Sequence, residues 1–454
     1  MRRRRFIAAT GLALGSGCLR FDGASPGTET ESQTDVASTA SERTRTGTST
    51  AEPTSEAETT TSQQAETDMD RLCDGNPIPE SVETTWPLAY GDAANTNYRP
   101  DETVASEKPC LAWKASSSRP LYATVVGEDI VLKGNEDDHL TAWDRVTGEV
   151  AWSTRDSMVD TLSFVRWPQI DDGTVYCSAF NGRTYDKPVL ALDVADGTVQ
   201  WSNTLDTPSE VKTGLTIANG SVYVAATTDA STVYALSPED GSIAWQQSVD
   251  GDVQIANTPF GVDGDRLYVP LGQGDSGPGG VLALDADSGA EEWYAEIGST
   301  TASPTVGPER VYVTNDAEET IHAIEKTTGE KQWGFETLNG SDEAPALADG
   351  DVYYATGDSE VYRLDGATGR PQWKGTTDTR AYGTSVTVTS DTVLVGGDDV
   401  DGTPGLHALN RADGTERWKF TTGLSTQDSP AVVGGVIYVS VGSYDGDQYT
   451  LALA

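Results

Sequence analysis

Over 454 residues the chain carries 71 acidic side chains against 30 Lys and Arg, a formal charge of -41, with 47 glycines and a hydrophobic content of 36%. Such a charge repels polyanions, which excludes nucleic acid and anionic lipid surfaces as partners. The glycine-rich, moderately apolar balance suits a turn-rich all-β body better than a helical enzyme.

The chain opens with Met1, four arginines and a short apolar stretch that ends at Cys18. A charged start followed by an apolar run too short to span a bilayer reads as a signal peptide. Arg3, Arg4 and Phe6 resemble the twin-arginine export motif, and Gly15-Ser16-Gly17-Cys18 resembles a lipobox, so residues 1–18 are expected to direct export and Cys18 to carry a lipid. A single acyl chain anchors only reversibly, so firm attachment to the outer face of the cytoplasmic membrane calls for a two-chain lipid.

Residues 19–72 are rich in Thr, Ser and Glu and poor in aliphatic side chains, a composition that cannot offset its own ordering entropy and reads as a disordered stalk. A flexible coil of this length spans on the order of 40 Å. Residues 73–107 form a lead-in to the patterned region, which runs from 108 to 454. Acidic residues continue throughout that region instead of collecting in a tail. Molar salt screens repulsion to within about 3 Å, so the composition points to a halophile of haloarchaeal type.

From Leu140 onward one motif recurs: an aliphatic strand, a turn closing on Gly, and a strand bearing Trp four residues after that Gly. It ends at Trp152, Trp201, Trp245, Trp293, Trp333, Trp373 and Trp418. The turn pairs, Thr147-Gly148, Asp196-Gly197 and Asp240-Gly241 among them, combine a side-chain acceptor with a residue that accepts positive φ. Upstream of the hairpins lie alternating strands such as Val222-Tyr223-Val224 and Val311-Tyr312-Val313, each preceded by a shorter segment such as Ala302-Ser303-Pro304. Four strands per repeat make a propeller blade.

Trp113 has no hairpin before it, and the final strand Thr450–Ala454 has no Trp after it. Joining the two predicts an all-β, eight-bladed propeller of four-stranded antiparallel blades, closed by its N- and C-terminal strands and free of exposed sheet ends. Ala191 to Trp201 and Ala283 to Trp293 resemble the tryptophan docking motif of the pyrroloquinoline-quinone-like propeller family, and the segment from Trp86-Pro87 to Ala94-Asn95-Thr96-Asn97 resembles the stretch preceding its first blade. The resemblance implies either a non-catalytic lipoprotein scaffold of the BamB-like type or a quinoprotein dehydrogenase. An extracellular ligand- or polymer-binding sensor is a third reading. The dehydrogenases of this family hold their quinone against two adjacent cysteines and coordinate calcium nearby, whereas this chain has no Cys-Cys pair, so neither pyrroloquinoline quinone nor calcium is expected.

Four cysteines are present, and export permits disulfides. A Cys73–Cys110 bridge would pin the stalk's end to the closing blade, although sequence alone leaves the connectivity open. Cys177 stands where other blades carry Val224, Val269 or Val313 and is expected in the core. Among the three histidines, His322 and His407 hold the slot of Tyr234 and Tyr362, which gives a zinc site or a Ser-His-Asp triad no material. Asp398-Asp399-Val400-Asp401-Gly402 lacks the distal Glu of a calcium loop. Asn219 and Asn339 open glycosylation sequons.

The short Gly turns share one face, so the varied connections and a docking site are expected on the other. Arg119, Tyr122, Arg166, Trp167, Lys212, Arg380 and Tyr382 precede or begin innermost strands there. Basic and aromatic side chains of this kind are enriched at binding hot spots; the alternative is that they satisfy local carboxylates or fill the channel. The expected molecule is a monomeric, cell-surface, lipid-anchored scaffold for a protein or surface polymer, without catalysis of its own.

Overall fold

The protein is described by a computed structural model from residue 67 to 454, apart from 118–122, 135–138, 155–161, 182–187, 206–209, 212–213, 228–230, 250–253, 273–278, 316–317, 341–342, 382, 400–403 and 444–445. Eight antiparallel sheets, each with a four-stranded body, follow one another in sequence order, as the repeat predicts. Their outermost strands, from blade 1 to blade 7, are Val150–Ser153, Val199–Asn203, Ile243–Ser248, Glu291–Glu296, Lys331–Glu336, Pro371–Thr376 and Glu416–Thr421. No helix among the described residues is long and apolar enough to cross a membrane.

Blade 8 takes Ala431–Val433, Val436–Gly442 and Gln448–Leu453 from the C-terminus and Leu111–Ser116 from the N-terminal side. Leu111 lies opposite Leu453 and Trp113 opposite Ala452, so the strands expected to close the ring do pair. The last residue takes part, since Cys110 donates its N–H to the Ala454 carbonyl (2.9 Å) and receives the Ala454 N–H in return (3.0 Å).

Alternation of β-branched and small residues makes each second strand apolar on both sides, because both faces pack on neighbouring blades. Val222, Tyr223, Val224 and Ala225 are all buried, and Val222 and Tyr223 pack in two different clusters, one with blade 2 and one with blade 4. First and second strands turn tightly: Asn219-Gly220 and Asp349-Gly350 both hold positive φ at the two central positions, as a two-residue hairpin of matching twist requires.

The tryptophans weld blade to blade. Trp113, Trp152, Trp201, Trp245, Trp293, Trp333 and Trp373 donate their indole N–H to the carbonyls of Arg145, Val194, Pro238, Ala286, Lys326, Gly366 and Arg411 in the next blade, at 2.8–3.0 Å. Each ring also lies on the hairpin glycine of that blade. At Gly241 φ is +70°, and a Cβ there would come within 2.5 Å of the Trp201 ring, so both backbone and close approach demand glycine.

Trp418 has no such hairpin to meet, because blade 8 is made from both ends of the propeller. Its N–H goes to the Ala105 carbonyl (3.0 Å), and Met69, in the 3-10 turn Asp68–Asp70, joins its core cluster. Asp68 receives the Thr421 N–H (2.8 Å), and the Cys73–Cys110 disulfide, with Cα atoms 5.0 Å apart, ties this stretch to the outer strand of blade 8. The residues ahead of the first blade thus rebuild the seam that the missing hairpin leaves.

Candidate functional site

A central channel is the natural site of a propeller, and here one end is closed by the protein itself. The lead-in segment runs round the ring at the ends of the innermost strands. Trp86 exchanges both backbone hydrogen bonds with Val126 of blade 1, and Ile170 of blade 2 donates to the Pro87 carbonyl. Val262, Val306, Leu347 and Val388 of blades 4 to 7 donate in turn to the carbonyls of Ala93, Ala94, Thr96 and Asn97, at 2.7–2.9 Å. Asn95 bonds the carbonyls of Phe260 and Pro304, and the Glu102 carboxylate accepts the N–H groups of Gly434 and Gly435 in blade 8. Trp86 is fully buried beneath the Arg99 guanidinium, 4.6 Å from its ring centre.

The axis is filled as well. Trp167 sits at an irregularity in the first strand of blade 2 with φ of +48°, and such bulges re-aim a side chain. Its ring lies 6.3 Å from that of Tyr90 in the lead-in segment, and the two cluster with Ala89, Ala123 of blade 1 and Ala344 of blade 6. Trp167 is 7% exposed. Of the two roles the sequence left open for it, docking at the mouth or filling the channel, this burial matches the second.

Of the other residues expected on that mouth, Arg380 is exposed on the short strand Thr379–Arg380, which pairs with Asp398–Asp399. Arg166 lies in the first strand of blade 2. Arg119, Tyr122, Lys212 and Tyr382 lie outside the described residues, as do Arg3, Arg4, Phe6 and Cys18. Asn219 gives its side-chain amide to the Gly264 carbonyl (2.6 Å), and Asn339 is half-buried, its carbonyl accepting the Gly357 N–H.

Sequence reasoning missed a buried ion pair. Lys133, in the second strand of blade 1, and Asp428, at the entry to blade 8, are 1% and 2% exposed and bonded to each other, with the Thr124 and Ser440 hydroxyls completing the Lys133 shell. Burial lowers the Lys133 pKa, and Asp428 opposes that by favouring the ammonium. Lys133 occupies the slot of Val224 and Cys177, and a lysine in that apolar register was the signal available. Cys177 itself is buried, its thiol pushed up to about 12, which makes it inert core.

An open cleft of about 670 Å³ lies between blades 1 and 2 on the sealed face, lined by Pro87, Glu128, Asp129, Asp144, Ala151, Asp171 and Asp172, among others. Burial and the Asp172 charge raise the Asp171 pKa. Among the described residues no group of three His, Cys, Asp or Glu is placed to hold a metal.

A family model described as outer membrane protein assembly factor BamB matches residues 102–258, 204–272, 229–374, 277–399 and 357–452. The BamB of Yersinia pestis is 28% identical over 319 residues, 66% of this chain and 75% of its own. Two solved structures share the fold. A quinohemoprotein alcohol dehydrogenase from Comamonas testosteroni superimposes with a TM-score of 0.67 at 15% identity, over 82% of this chain and 81% of that one. BamB from Moraxella catarrhalis gives 0.57 at 19% identity, over 76% of this chain and all of that one. The described residues do not fit a quinone: Trp167 and Tyr90 fill the axis, Asp428 already neutralises Lys133, and the open cleft's carboxylates repel a polycarboxylate.

Proposed function

The chain belongs to the family described as outer membrane protein assembly factor BamB, and from that membership we propose that it is a non-catalytic scaffold that holds a protein partner at a membrane surface. The observation that carries this reading is the occupied channel. With one end crossed by the lead-in segment and the axis filled by Trp167 and Tyr90, the usual reaction chamber of a propeller becomes structural, and recognition falls to the outside.

Residues 1–18 act in this reading as a twin-arginine export signal with Cys18 lipidated, 19–72 as the stalk, 73–107 as the lead-in and 108–454 as the propeller. The excess of acidic residues fits a molar-salt exterior. We place one docking face at the end opposite the lead-in segment, around Arg380. Two parallel measurements test the function: capture of a stable partner from native membranes in molar salt, and dye-linked alcohol oxidation after loading with pyrroloquinoline quinone. Reproducible capture without oxidation supports a scaffold. Stoichiometric quinone binding with turnover would make the protein a dehydrogenase.

A further inference from the structure

In the turn before each outer strand, one position gives its carbonyl to the indole of the preceding blade: Val194 on blade 2, Ala286 on blade 4, Lys326 on blade 5, Gly366 on blade 6 and Arg411 on blade 7. On two blades the side chain at that position reaches back to the first turn of the blade before it. Lys326 pairs with Asp263 of blade 4, and Arg411 with Asp349 of blade 6 at 2.7 Å. Where the preceding turn is neutral, as at Asn219 and Pro308, the position is neutral too, Ala286 and Gly366. An acidic turn at these seams is thus answered by a cation on an aliphatic stem.

The seam between blades 1 and 2 breaks this rule. The first turn of blade 1 carries Glu128, in the place of Asp349, and Asp129 beside it, yet the position that should answer them is Val194. Blade 2 adds Asp171 and Asp172 where blade 5 has Gly307 and Pro308 and blade 7 has Thr389 and Ser390. All four carboxylates line the open cleft of about 670 Å³, and none of the residues lining it is basic. Its walls are apolar, with Pro87, Ile130, Ala151, Ile170 and Val194 among them. Burial and the Asp172 charge already penalise a bare Asp171 carboxylate, a cost that a cation in the cleft would relieve. The cleft stands where two sister seams hold a basic side chain, and it holds none.

We infer that this cleft binds an aliphatic di- or polyamine, its ammonium groups on the carboxylates of the two blades and its methylene chain along the apolar walls. Charge-assisted hydrogen bonds fix the two ends, and burial of the chain sets its length. Carboxylates on both blades call for a cation at each end of one chain, which a single Lys or Arg side chain does not supply. A bare metal ion is a poorer guest, since no three acidic or His side chains among the described residues are placed to hold one. Molar salt confines attraction to groups in contact, within about 3 Å, so a ligand that enters the cleft is favoured over one that hovers at its rim. The site is independent of the scaffold reading and adds a small-molecule ligand to it.

The test titrates the full chain in molar sodium chloride with spermidine, 1,4-diaminobutane and butylamine by calorimetry. Saturable one-to-one binding of spermidine is expected, with the diamine at least ten-fold tighter than the monoamine. Val194→Arg, which copies Arg411 and supplies the cation from within, is expected to abolish binding. Glu128→Gln with Asp172→Asn is expected to weaken it at least ten-fold, and Glu309→Gln, in the corresponding turn of blade 5, to change it less than two-fold. Unchanged melting temperatures show that the fold persists, and if Val194→Arg does not fold, the exposed carboxylate pair decides alone. No saturable binding, binding unaltered by the cleft variants, or a monoamine as good as the diamine overturns the site. So does displacement by magnesium ions at equal concentration, which marks a diffuse acidic surface. An acetylated trilysine amide of equal charge that binds as tightly as spermidine also overturns it, because the cleft then receives a basic protein segment.

Discussion

Tyr223 and Trp245 donate to the same oxygen, the Ala286 carbonyl of the next blade, at 3.2 and 2.9 Å. Their rings lie 6.0 Å apart across Ala235, whose small side chain leaves room for the contact. Tyr176 and Trp201 share the Pro238 carbonyl in the same way, and Tyr312 and Trp333 share that of Gly366. The blade seam is therefore a polar clamp inside an aromatic wall. Tyr223→Phe is expected to cost about 1 kcal/mol, one hydrogen bond with the ring retained, and Trp245→Ala about 3–5 kcal/mol. Denaturant melts of the two variants separate the clamp from the wall, and equal losses would contradict this division.

The Lys133–Asp428 pair joins the first and last blades. Asp428→Asn strands a buried ammonium and is expected to cost about 3–5 kcal/mol. Lys133→Val with Asp428→Ala, which copies Val224 and Ala302 at the corresponding places of blades 3 and 5, is expected to cost less than the single change. A double variant less stable than Asp428→Asn would show that the pair itself holds the seam.

His322 is buried, and burial first, then the Lys331 charge, lowers its pKa from 6.5 to about 4. Its folded form is neutral where the unfolded chain is protonated, so this residue's contribution is intact above pH 6.5 and drains away as pH falls toward 4. The drop amounts to about 3 kcal/mol at 1.36 kcal/mol per unit. His322→Tyr, which puts in the residue of the same slot on blade 3, is expected to flatten stability over that window. Chemical melts at pH 7 and pH 4 measure it, with the turn carboxylates contributing equally to both proteins.

Breaking the Cys73–Cys110 bridge, which closes a separation of 37 residues, is expected to cost about 4 kcal/mol by loop entropy. It should also bare the outer edge of blade 8 at Leu111–Ser116. Cys73→Ser should lower the melting temperature and open a protease site near Leu72, and an unchanged digestion pattern would show that the edge is held by other contacts.

Cys18→Ser is expected to release the protein into the medium, and dilution from molar salt to about 0.1 M to expand the acidic body. Membrane fractionation and light scattering read the two effects. Retention of the variant on membranes would assign the anchor elsewhere.

The blades were legible because their determinants are local and repeated. A turn glycine and a tryptophan four residues later report both the hairpin and the seam, and even the odd pair Trp113 and Leu453 could be joined by asking which half-motif lacked its partner. The lead-in segment was legible as a stretch ahead of the first blade, but its hold on the ring was not. Its grip on the ring is almost wholly main-chain hydrogen bonding from Trp86 to Asn97, which leaves no side-chain period to find. The choice between docking and channel filling for Trp167 was hidden for a related reason: a regular strand leaves it open, and a bulge with positive φ turns the ring inward. Lys133 drew no reading from the sequence, because its partner Asp428 lies 295 residues away and only the register of the blades brings the two together.

The seam at blade 8 also sets an order of events during synthesis. The strand Leu111–Ser116 leaves the ribosome early, yet the Ala454 carbonyl that Cys110 binds is made 344 residues later. Contacts of such separation form slowly. A nascent chain can fold its middle blades as they emerge but cannot close the ring before the strand Gln448–Leu453 has been made. Until then Leu111–Ser116 waits unpaired, the stretch of this protein with most need of a chaperone.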